Sequence, residues 1–288
     1  MTAAELIKLT AADGVELHGG LCSSSGEPRL GADAALFLHG AGSNFYSSSL
    51  LRGILPPLLQ NGVSVLALNT RGHDAVCTLK TSHGGRRGGA AFEVVDECQH
   101  DVRGALDFLV KRGFEKIALI GHSLGALKAL YAQSRQPHEH ASHVVAISPP
   151  RLSYAAFCRG PRREEFLATI AHAEQFVREG QGDRLMEVTI PLPLLITAAG
   201  YLDKYGPGER YSLANFIGQV AQPAIYIFGE KELASGASAF AGLDDEIRQN
   251  ALQNSTPTDV AVIPQADHFY TGCHQALIST MVAWQGWA

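Results

Sequence analysis

The sequence predicts a doubly wound α/β fold built around a mostly parallel sheet. Six short apolar runs each stop at turn residues, as strands covered on both faces do. They are "AALFLHG" (34–40), "VSVLALN" (63–69), "KIALIG" (116–121), "HVVAIS" (143–148), "PAIYIFG" (223–229) and "DVAVIP" (259–264). An earlier run, "VELHGGLC" (15–22), alternates weakly and predicts an edge strand.

Helical patterns lie between these runs. Apolar residues recur at close to 3.6-residue spacing from Phe92 to Leu109, and "SLGALKALYAQS" (123–134) and "GCHQALISTMVAWQ" (272–285) also have helical patterns. Because strand and helix alternate along the chain, the strands are expected to be parallel and the helices to cover both faces of the sheet.

One long segment interrupts this alternation. Between the strands near 148 and 223 no good strand pattern is found, while "EEFLATIAHAEQFVREG" (164–180) has helical spacing and ends at glycine. We therefore predict a core of residues 1–150 and 221–288, with residues 151–220 as a helical lid. The aromatic residues of this segment fit a lid or its own small core, and a plain surface insertion is the alternative; they are Tyr201, Tyr205, Tyr211 and Phe216.

Composition restricts the function classes. The 288 residues are 46% hydrophobic and 18% charged, with a net charge of −5. Scattered basic residues and a negative balance argue against nucleic acid as a partner. The sequence shows neither a secretory signal nor a membrane-spanning apolar run, and its five cysteines lack a disulfide or metal spacing. These features predict a cytoplasmic protein with free thiols; the oligomeric state stays open.

The segment "IALIGHSLG" (117–125) contains the strongest motif. A Gly-x-Ser-x-Gly sequence that follows a strand and precedes a helix is a nucleophile elbow. The tight turn forces Ser123 into a strained backbone conformation, and side chains at Gly121 or Gly125 would collide with neighbouring backbone. Ser123 is therefore the predicted nucleophile, at the carboxyl edge of the sheet and the start of a helix.

A serine hydroxyl needs a base, and the base needs a carboxylate. After such an elbow the acid comes first in the chain and the histidine second. His268 follows the last predicted strand and is the expected base, with His274 on the final helix as the weaker candidate. Glu230 and Glu232 both follow the preceding strand in "FGEKELASG", so position alone leaves the acid open. The further alternatives are Asp267 and Asp244.

The reaction also needs donors for a negatively charged oxygen. One is expected from the backbone N–H of Leu124, directly after the nucleophile. The other is expected from Ala41, with Gly42 as the alternative, because "LFLHGAGSN" (36–44) places a glycine-containing loop after an earlier strand.

Five segments together resemble the α/β-hydrolase superfamily: "HGAGSN", "RGHD", "GHSLG", "FGEKE" and "ADHF", in this order over nearly the whole chain. The resemblance implies the α/β-hydrolase fold, and its usual Gly-x-x-Asp register selects Glu232 as the acid. Relatives with an aspartate nucleophile, the dehalogenases and epoxide hydrolases, are disfavoured by Ser123. "RGGAAFE" (87–93) and "YLDKYGPGERY" (201–211) are similar to the branch of fungal siderophore-ester hydrolases.

The hypothesis is a serine hydrolase of a small-molecule carboxylic ester that works through an acyl-enzyme and needs no metal or organic cofactor. Acyl transfer, thioester cleavage or C–C bond hydrolysis on the same triad are alternatives, as is a non-catalytic binding protein. The histidine-containing stretches "QPHEHASH" and "HFYTGCHQ" lack a clean zinc-ligand spacing. An arginine cluster at the start of the insertion fits a solvated basic face better than an anion site; it comprises Arg151, Arg159, Arg162 and Arg163.

Overall fold

The computed structural model describes residues 3–253 and 256–287. The strands of this part are β1 (Glu5–Thr10), β2 (Glu16–Cys22), β3 (Ala34–Leu38), β4 (Ser64–Asn69), β5 (Cys77–Thr81), β6 (Gly84–Gly88), β7 (Ile117–His122), β8 (Ala141–Ile147), β9 (Leu185–Val188), β10 (Leu194–Thr197), β11 (Ala224–Gly229) and β12 (Thr258–Ile263). Ten of them form one sheet, in the order β12-β11-β8-β7-β3-β4-β2-β5-β6 with β1 beside β2, and β9 and β10 form a separate pair.

The six predicted core strands are all present, and they pair in parallel from β4 through β3, β7, β8 and β11 to β12. The sequence placed β2 at the edge of the sheet, and this was wrong. One side of β2 pairs with β4, where His18 lies opposite Asn69, and the other pairs with β1, where Glu5 lies opposite Leu21. Two glycines within β2 weaken its apolar pattern although most of the strand is buried.

Helices cover both faces of the sheet. They are α1 (Ser49–Gln60), α2 (Cys98–Lys111), α3 (Leu124–Arg135), α4 (Tyr154–Arg159), α5 (Arg163–Arg178), α6 (Ala198–Tyr205), α7 (Glu230–Ala234), α8 (Leu243–Ala251) and α9 (His274–Val282). One apolar layer includes Leu106 of α2 and Leu127 of α3, and the other includes Ile54 of α1 and Leu277 of α9. This two-layer arrangement is the predicted doubly wound architecture.

One helix prediction needs adjustment, and helix α1 had none. The pattern that starts at Phe92 becomes a 3₁₀ turn at Val95–Glu97, and α2 begins only at Cys98. Helix α1 had no sequence prediction because Pro56 and Pro57 lie within it, and prolines normally end a helix. Ser48 caps the start of α1, accepting a hydrogen bond from the Leu51 N–H.

Residues 151–220, called the insertion below, contain α4, α5, α6, two 3₁₀ turns and an unexpected strand pair. The sequence predicted no strand here, and this was wrong, because β9 and β10 pair antiparallel with Val188 opposite Leu194. Each strand is only four residues long, and prolines lie between them, so the period-2 signal is too short to recognise. Within the described residues, no helix is long and apolar enough to cross a membrane.

Candidate active site

Ser123 lies in a sharp turn between β7 and α3. Its φ of 55° and ψ of −126° place this residue in a backbone region that non-glycine residues rarely occupy. A Cβ added at Gly121 would lie 2.4 Å from the Gly125 carbonyl oxygen, and one added at Gly125 would lie 2.2 Å from that of Leu38. The expected need for glycine at both positions is thus confirmed, and the turn is fixed by steric contact.

Glu232 joins the candidate base His268. It lies in α7, after β11, and its side chain is buried. Its Oε2 is 2.7 Å from His268 Nδ1, and its Oε1 accepts hydrogen bonds from the Gly229 N–H at 2.7 Å and the Ser148 hydroxyl at 2.5 Å. A carboxylate held in this way fixes the ring so that Nε2 is left for a proton from substrate or nucleophile.

The three other acids considered from the sequence are engaged elsewhere. Glu230 accepts a hydrogen bond from the Gln265 N–H, and Asp267 accepts from the N–H groups of the turn that follows His268. Asp244 pairs with Arg248 on α8. Of these candidates, the structure brings Glu232 to the histidine, while the others bind different partners.

Two side chains around Glu232 were not identified from the sequence. Ser148 has a φ of 49°, and its hydroxyl oxygen lies 2.9 Å from the hydroxyl oxygen of Tyr270. The Tyr270 hydroxyl donates a hydrogen bond to the Ile227 carbonyl at 2.9 Å. Both positions carry a weak signal, since Ser148 follows a buried strand and Tyr270 stands two residues after His268. They anchor the acid between β8 and β11.

His268 and Ser123 line the same cavity. Within the described residues, no hydrogen bond joins the Ser123 hydroxyl to the His268 ring. In enzymes without bound substrate, catalytic hydrogen bonds are often long and shorten only when the substrate binds. The backbone next to the base is held by His122, whose Nε2–H donates to the His268 carbonyl at 2.9 Å. Burial lowers the pKa of His122 to about 4, so its ring is neutral at pH 7.

The loop after β3 faces Ser123. A Cβ at Gly40 would lie 3.2 Å from the Ser123 Cβ, and Gly42 has a φ of 61°. His39 braces this loop, since its Nδ1 donates to the Gly40 carbonyl at 2.8 Å and its Nε2 accepts from the Thr70 N–H at 3.1 Å. Burial lowers the pKa of His39 to about 4, which keeps the ring in the neutral form that this pairing needs.

The two expected oxyanion donors flank Ser123. Ala41 lines the cavity beside it, and Leu124 is the first residue of α3. N–H groups in the first turn of a helix have no acceptor within that helix, so the Leu124 N–H is free to bind an anionic oxygen.

The cavity has a volume of about 290 Å³ and an apolar wall. Three of its thirteen lining residues carry polar side chains: Ser123, Tyr205 and His268. The other ten are apolar: Ala41, Leu124, Pro150, Leu152, Pro191, Leu192, Ala237, Ala239, Phe240 and Phe269. A neutral, largely apolar ligand fits this lining best.

Other sequence candidates lie away from the cavity. His274 packs against Gly53 of α1, and none of the four arginines at the start of the insertion lines the cavity; Arg151, for example, pairs with Glu246 at 2.5 Å. In residues 3–253 and 256–287, no group of three or more His, Cys, Asp or Glu side chains is arranged to hold a metal ion.

Comparison with known proteins agrees with this architecture. A sequence profile described as the alpha/beta hydrolase family matches residues 35–279, which is most of the chain. The chain belongs to the alpha/beta hydrolase family. A search of curated protein sequences finds no match.

Solved structures share the fold at low sequence identity. An esterase from Pyrococcus furiosus matches with a TM-score of 0.66 and 17% identity, over 98% of this chain and 92% of that chain. Est1E from Butyrivibrio proteoclasticus, solved with ferulic acid bound, matches with a TM-score of 0.62 and 16% identity, over 95% of this chain and 97% of that chain. The alpha/beta hydrolase GrgF from Penicillium sp. sh18 matches with a TM-score of 0.69 and 15% identity, over 97% of this chain and 96% of that chain. These likenesses show the common fold.

Proposed function

We propose that this family member is a serine hydrolase that cleaves a carboxylic ester through an acyl-enzyme. One observation carries the proposal: a serine in a sterically forced elbow borders the same apolar cavity as a histidine whose Nδ1 lies 2.7 Å from a buried glutamate. A nucleophile, a base and an acid that orients the base are the parts this chemistry needs. The esterase name of the similar Pyrococcus furiosus structure favours the same bond type.

Each residue has a distinct role in the proposed reaction. Ser123 attacks the ester carbonyl while His268 takes its proton, and Glu232 stabilises the charged imidazole. The N–H groups of Leu124 and Ala41 bind the oxyanion. In comparable sites, each such donor stabilises the transition state by about 3 kcal/mol. His268 then protonates the leaving alcohol and activates the water that releases the acid. The arrangement requires no metal or organic cofactor.

The insertion serves as the lid in this proposal. Leu152, Pro191, Leu192 and Tyr205 come from the insertion and line the cavity together with the core residues. A roof of this kind keeps water away from the reacting groups and selects the substrate by shape. Since the lining residues include no aspartate, glutamate, lysine or arginine, we expect a small, neutral ester as substrate.

Labelling with a fluorophosphonate probe tests the nucleophile. Native protein is expected to take up the label, and Ser123→Ala is expected to lose it together with hydrolysis of p-nitrophenyl butyrate. Ser134→Ala is the matched control, because Ser134 lies at the far end of the same helix and donates to the Tyr131 carbonyl. Well-folded native protein that takes no label would contradict the proposal and favour a binding protein.

Parallel assays separate the alternative reactions. We expect ester hydrolysis to exceed hydrolysis of the matched acyl-thioester, with water preferred over added alcohol as the acceptor. A reversed order in either comparison would favour a thioesterase or an acyltransferase on the same triad, and activity towards β-diketones alone would favour C–C bond hydrolysis.

A further inference from the structure

One polar group in the cavity is unused by the proposed mechanism. Tyr205 is the last residue of α6, is only 3% exposed and lines the cavity that contains Ser123. Its hydroxyl makes no hydrogen bond with any residue that the structure describes. Fully buried side-chain oxygens without a partner do occur in the described residues, but the Tyr205 oxygen is not one of them. It therefore keeps some accessible surface.

Neighbouring tyrosines of the same segment behave differently. The Tyr201 hydroxyl donates to the Ile190 carbonyl at 3.0 Å, and the Tyr211 hydroxyl donates to Asp203 at 2.7 Å. Both rings are fully buried, and both have the internal partner that a buried hydroxyl normally finds. Tyr205 has no such partner, and of these three tyrosines it is the one that lines the cavity. A partner supplied by a ligand explains the difference.

The Tyr205 ring is held rigidly in place. It contacts the rings of Tyr201 and Phe157, with centroids 5.1 Å and 6.0 Å away. The preceding residue, Lys204, is buried and pairs with Glu93 of the core at 3.4 Å. Burial, reinforced by the charge of Glu93, raises the pKa of Tyr205, so the group stays an O–H donor across the working pH range. A fixed donor costs little ordering entropy when a ligand binds.

We propose that the Tyr205 hydroxyl donates a hydrogen bond to a second oxygen of the substrate, one that lies beyond the ester group to be cleaved. The inference rests on the proposed ester hydrolysis and narrows its substrate class. The natural ester then carries an ether, keto or hydroxyl oxygen in an otherwise apolar skeleton. A site with a buried donor disfavours a substrate that leaves this donor unpaired.

Pairs of esters that differ by one oxygen test the proposal. On the acyl side, p-nitrophenyl 3-methoxypropanoate is compared with p-nitrophenyl pentanoate; on the alcohol side, 2-methoxyethyl butyrate is compared with butyl butyrate. Each pair replaces one methylene group by an ether oxygen. We expect Tyr205→Phe to lower kcat/KM about tenfold for the oxygen-containing ester of one pair and to leave the plain esters within about twofold.

Tyr201→Phe is the matched control, because it removes a buried hydroxyl one turn earlier on α6 whose partner is internal. This variant is expected to lower the Tm and to affect both members of each pair equally. Tyr205→Phe should keep or raise the Tm, since it removes a hydroxyl without a protein partner.

Two results would overturn the inference. Equal rate losses for all four esters would place the hydroxyl at the shared ester group, and unchanged rates for all four would remove it from recognition. If fluorophosphonate still labels Ser123 in either case, serine hydrolysis stands and only the substrate inference fails. If native protein takes no label, the proposed function fails and the inference fails with it.

Discussion

The two walls of the cavity are built by different physical means. The floor, formed by core residues around Ser123, Glu232 and His268, is fixed by backbone contacts that leave no room for a side chain and by hydrogen bonds of 2.5–2.7 Å. The other wall, which we propose as the roof, is formed by Leu152, Pro191, Leu192 and Tyr205 of the insertion, and its position depends on how the insertion packs on the core. The floor is therefore suited to invariant chemistry, and the roof to selection of substrate.

A buried ion cluster fastens the roof to the core. Glu93 binds Lys128 of α3 through one carboxylate oxygen and Lys204 of α6 through the other, and all three side chains are almost fully buried. Burial alone would raise the pKa of Glu93, but the two lysines overcome this and lower the pKa to about 2. Two segments that stood out in the sequence as motifs meet here: Glu93 ends "RGGAAFE", and Lys204 lies in "YLDKYGPGERY".

The largest effect is expected in the chemistry of the floor. Glu232→Gln should lower kcat about 10³-fold or more, because the amide no longer stabilises the charged ring of His268. Glu230→Gln is the control, since its carboxylate contacts Gln265 on the surface and should leave kcat nearly unchanged. Steady-state kinetics with p-nitrophenyl butyrate measures both, and comparable losses in the two variants would contradict the assignment of the acid.

The next effect concerns the attachment of the roof. Glu93→Gln leaves two buried lysines without a counter-charge and should lower the free energy of unfolding by about 3–5 kcal/mol, measured by urea denaturation. Adding Lys204→Met should restore part of this loss, because one unpaired charge is removed. Glu165→Gln, which breaks the exposed pair with Arg162, should change little. A Glu93→Gln variant as stable as the native protein would show that the cluster does not hold the insertion.

A pair of glycine variants compares a crowded position beside Ser123 with an open position in the insertion. Gly125→Ala should lower the free energy of unfolding by about 1–3 kcal/mol or more, because its Cβ would lie 2.2 Å from a backbone oxygen. Gly208→Ala in the insertion has no atom within 4 Å of its new Cβ and should stay within about 1 kcal/mol of the native protein. Equal losses would show that the steric contact at residue 125 does not set the cost of the added methyl group.

The smallest effect in a single measured step is a pH dependence of stability from the floor, about 1 kcal/mol for each ring between pH 6.5 and 5.5. The pKa values of His39 and His122 fall from 6.5 to about 4 on folding, so below pH 6.5 the unfolded chain binds protons that the folded chain does not. Stability is then lost as pH falls from 6.5 towards 4, at up to about 1.4 kcal/mol per pH unit for each ring. His122→Asn should reduce this slope, and the exposed His83→Asn should not; urea denaturation at pH 6.5 and 5.5 measures the difference.

The sequence signals that predict the elbow at Ser123 are local. A strand, a Gly-x-Ser-x-Gly turn and a helix lie within about twenty consecutive residues, and each imposes backbone geometry on its neighbours. The choice between Glu230 and Glu232 was harder, since both follow the same strand, and the family resemblance rather than position selected Glu232. In the structure the Glu232 carboxylate also accepts hydrogen bonds from Ser148 and Gly229.

The roof was predicted poorly because its signals are not local. Lys204 and Glu93 are 111 residues apart in the chain, and nothing in either segment identifies the other as its partner. The strands β9 and β10 are too short for their alternation to exceed chance, and the role of Tyr205 depends on which side of α6 meets the cavity. Each of these features depends on packing that a single sequence does not encode locally.

The left-handed backbone at residue 123 also sets a limit on how stable an active form of this protein can be. A side chain at a φ of 55° costs conformational energy that glycine would avoid. A chain with glycine at this position should therefore melt at a higher temperature while losing its nucleophile. Directed evolution for heat resistance alone would then tend to select inactive proteins, so any such selection needs a simultaneous screen for turnover.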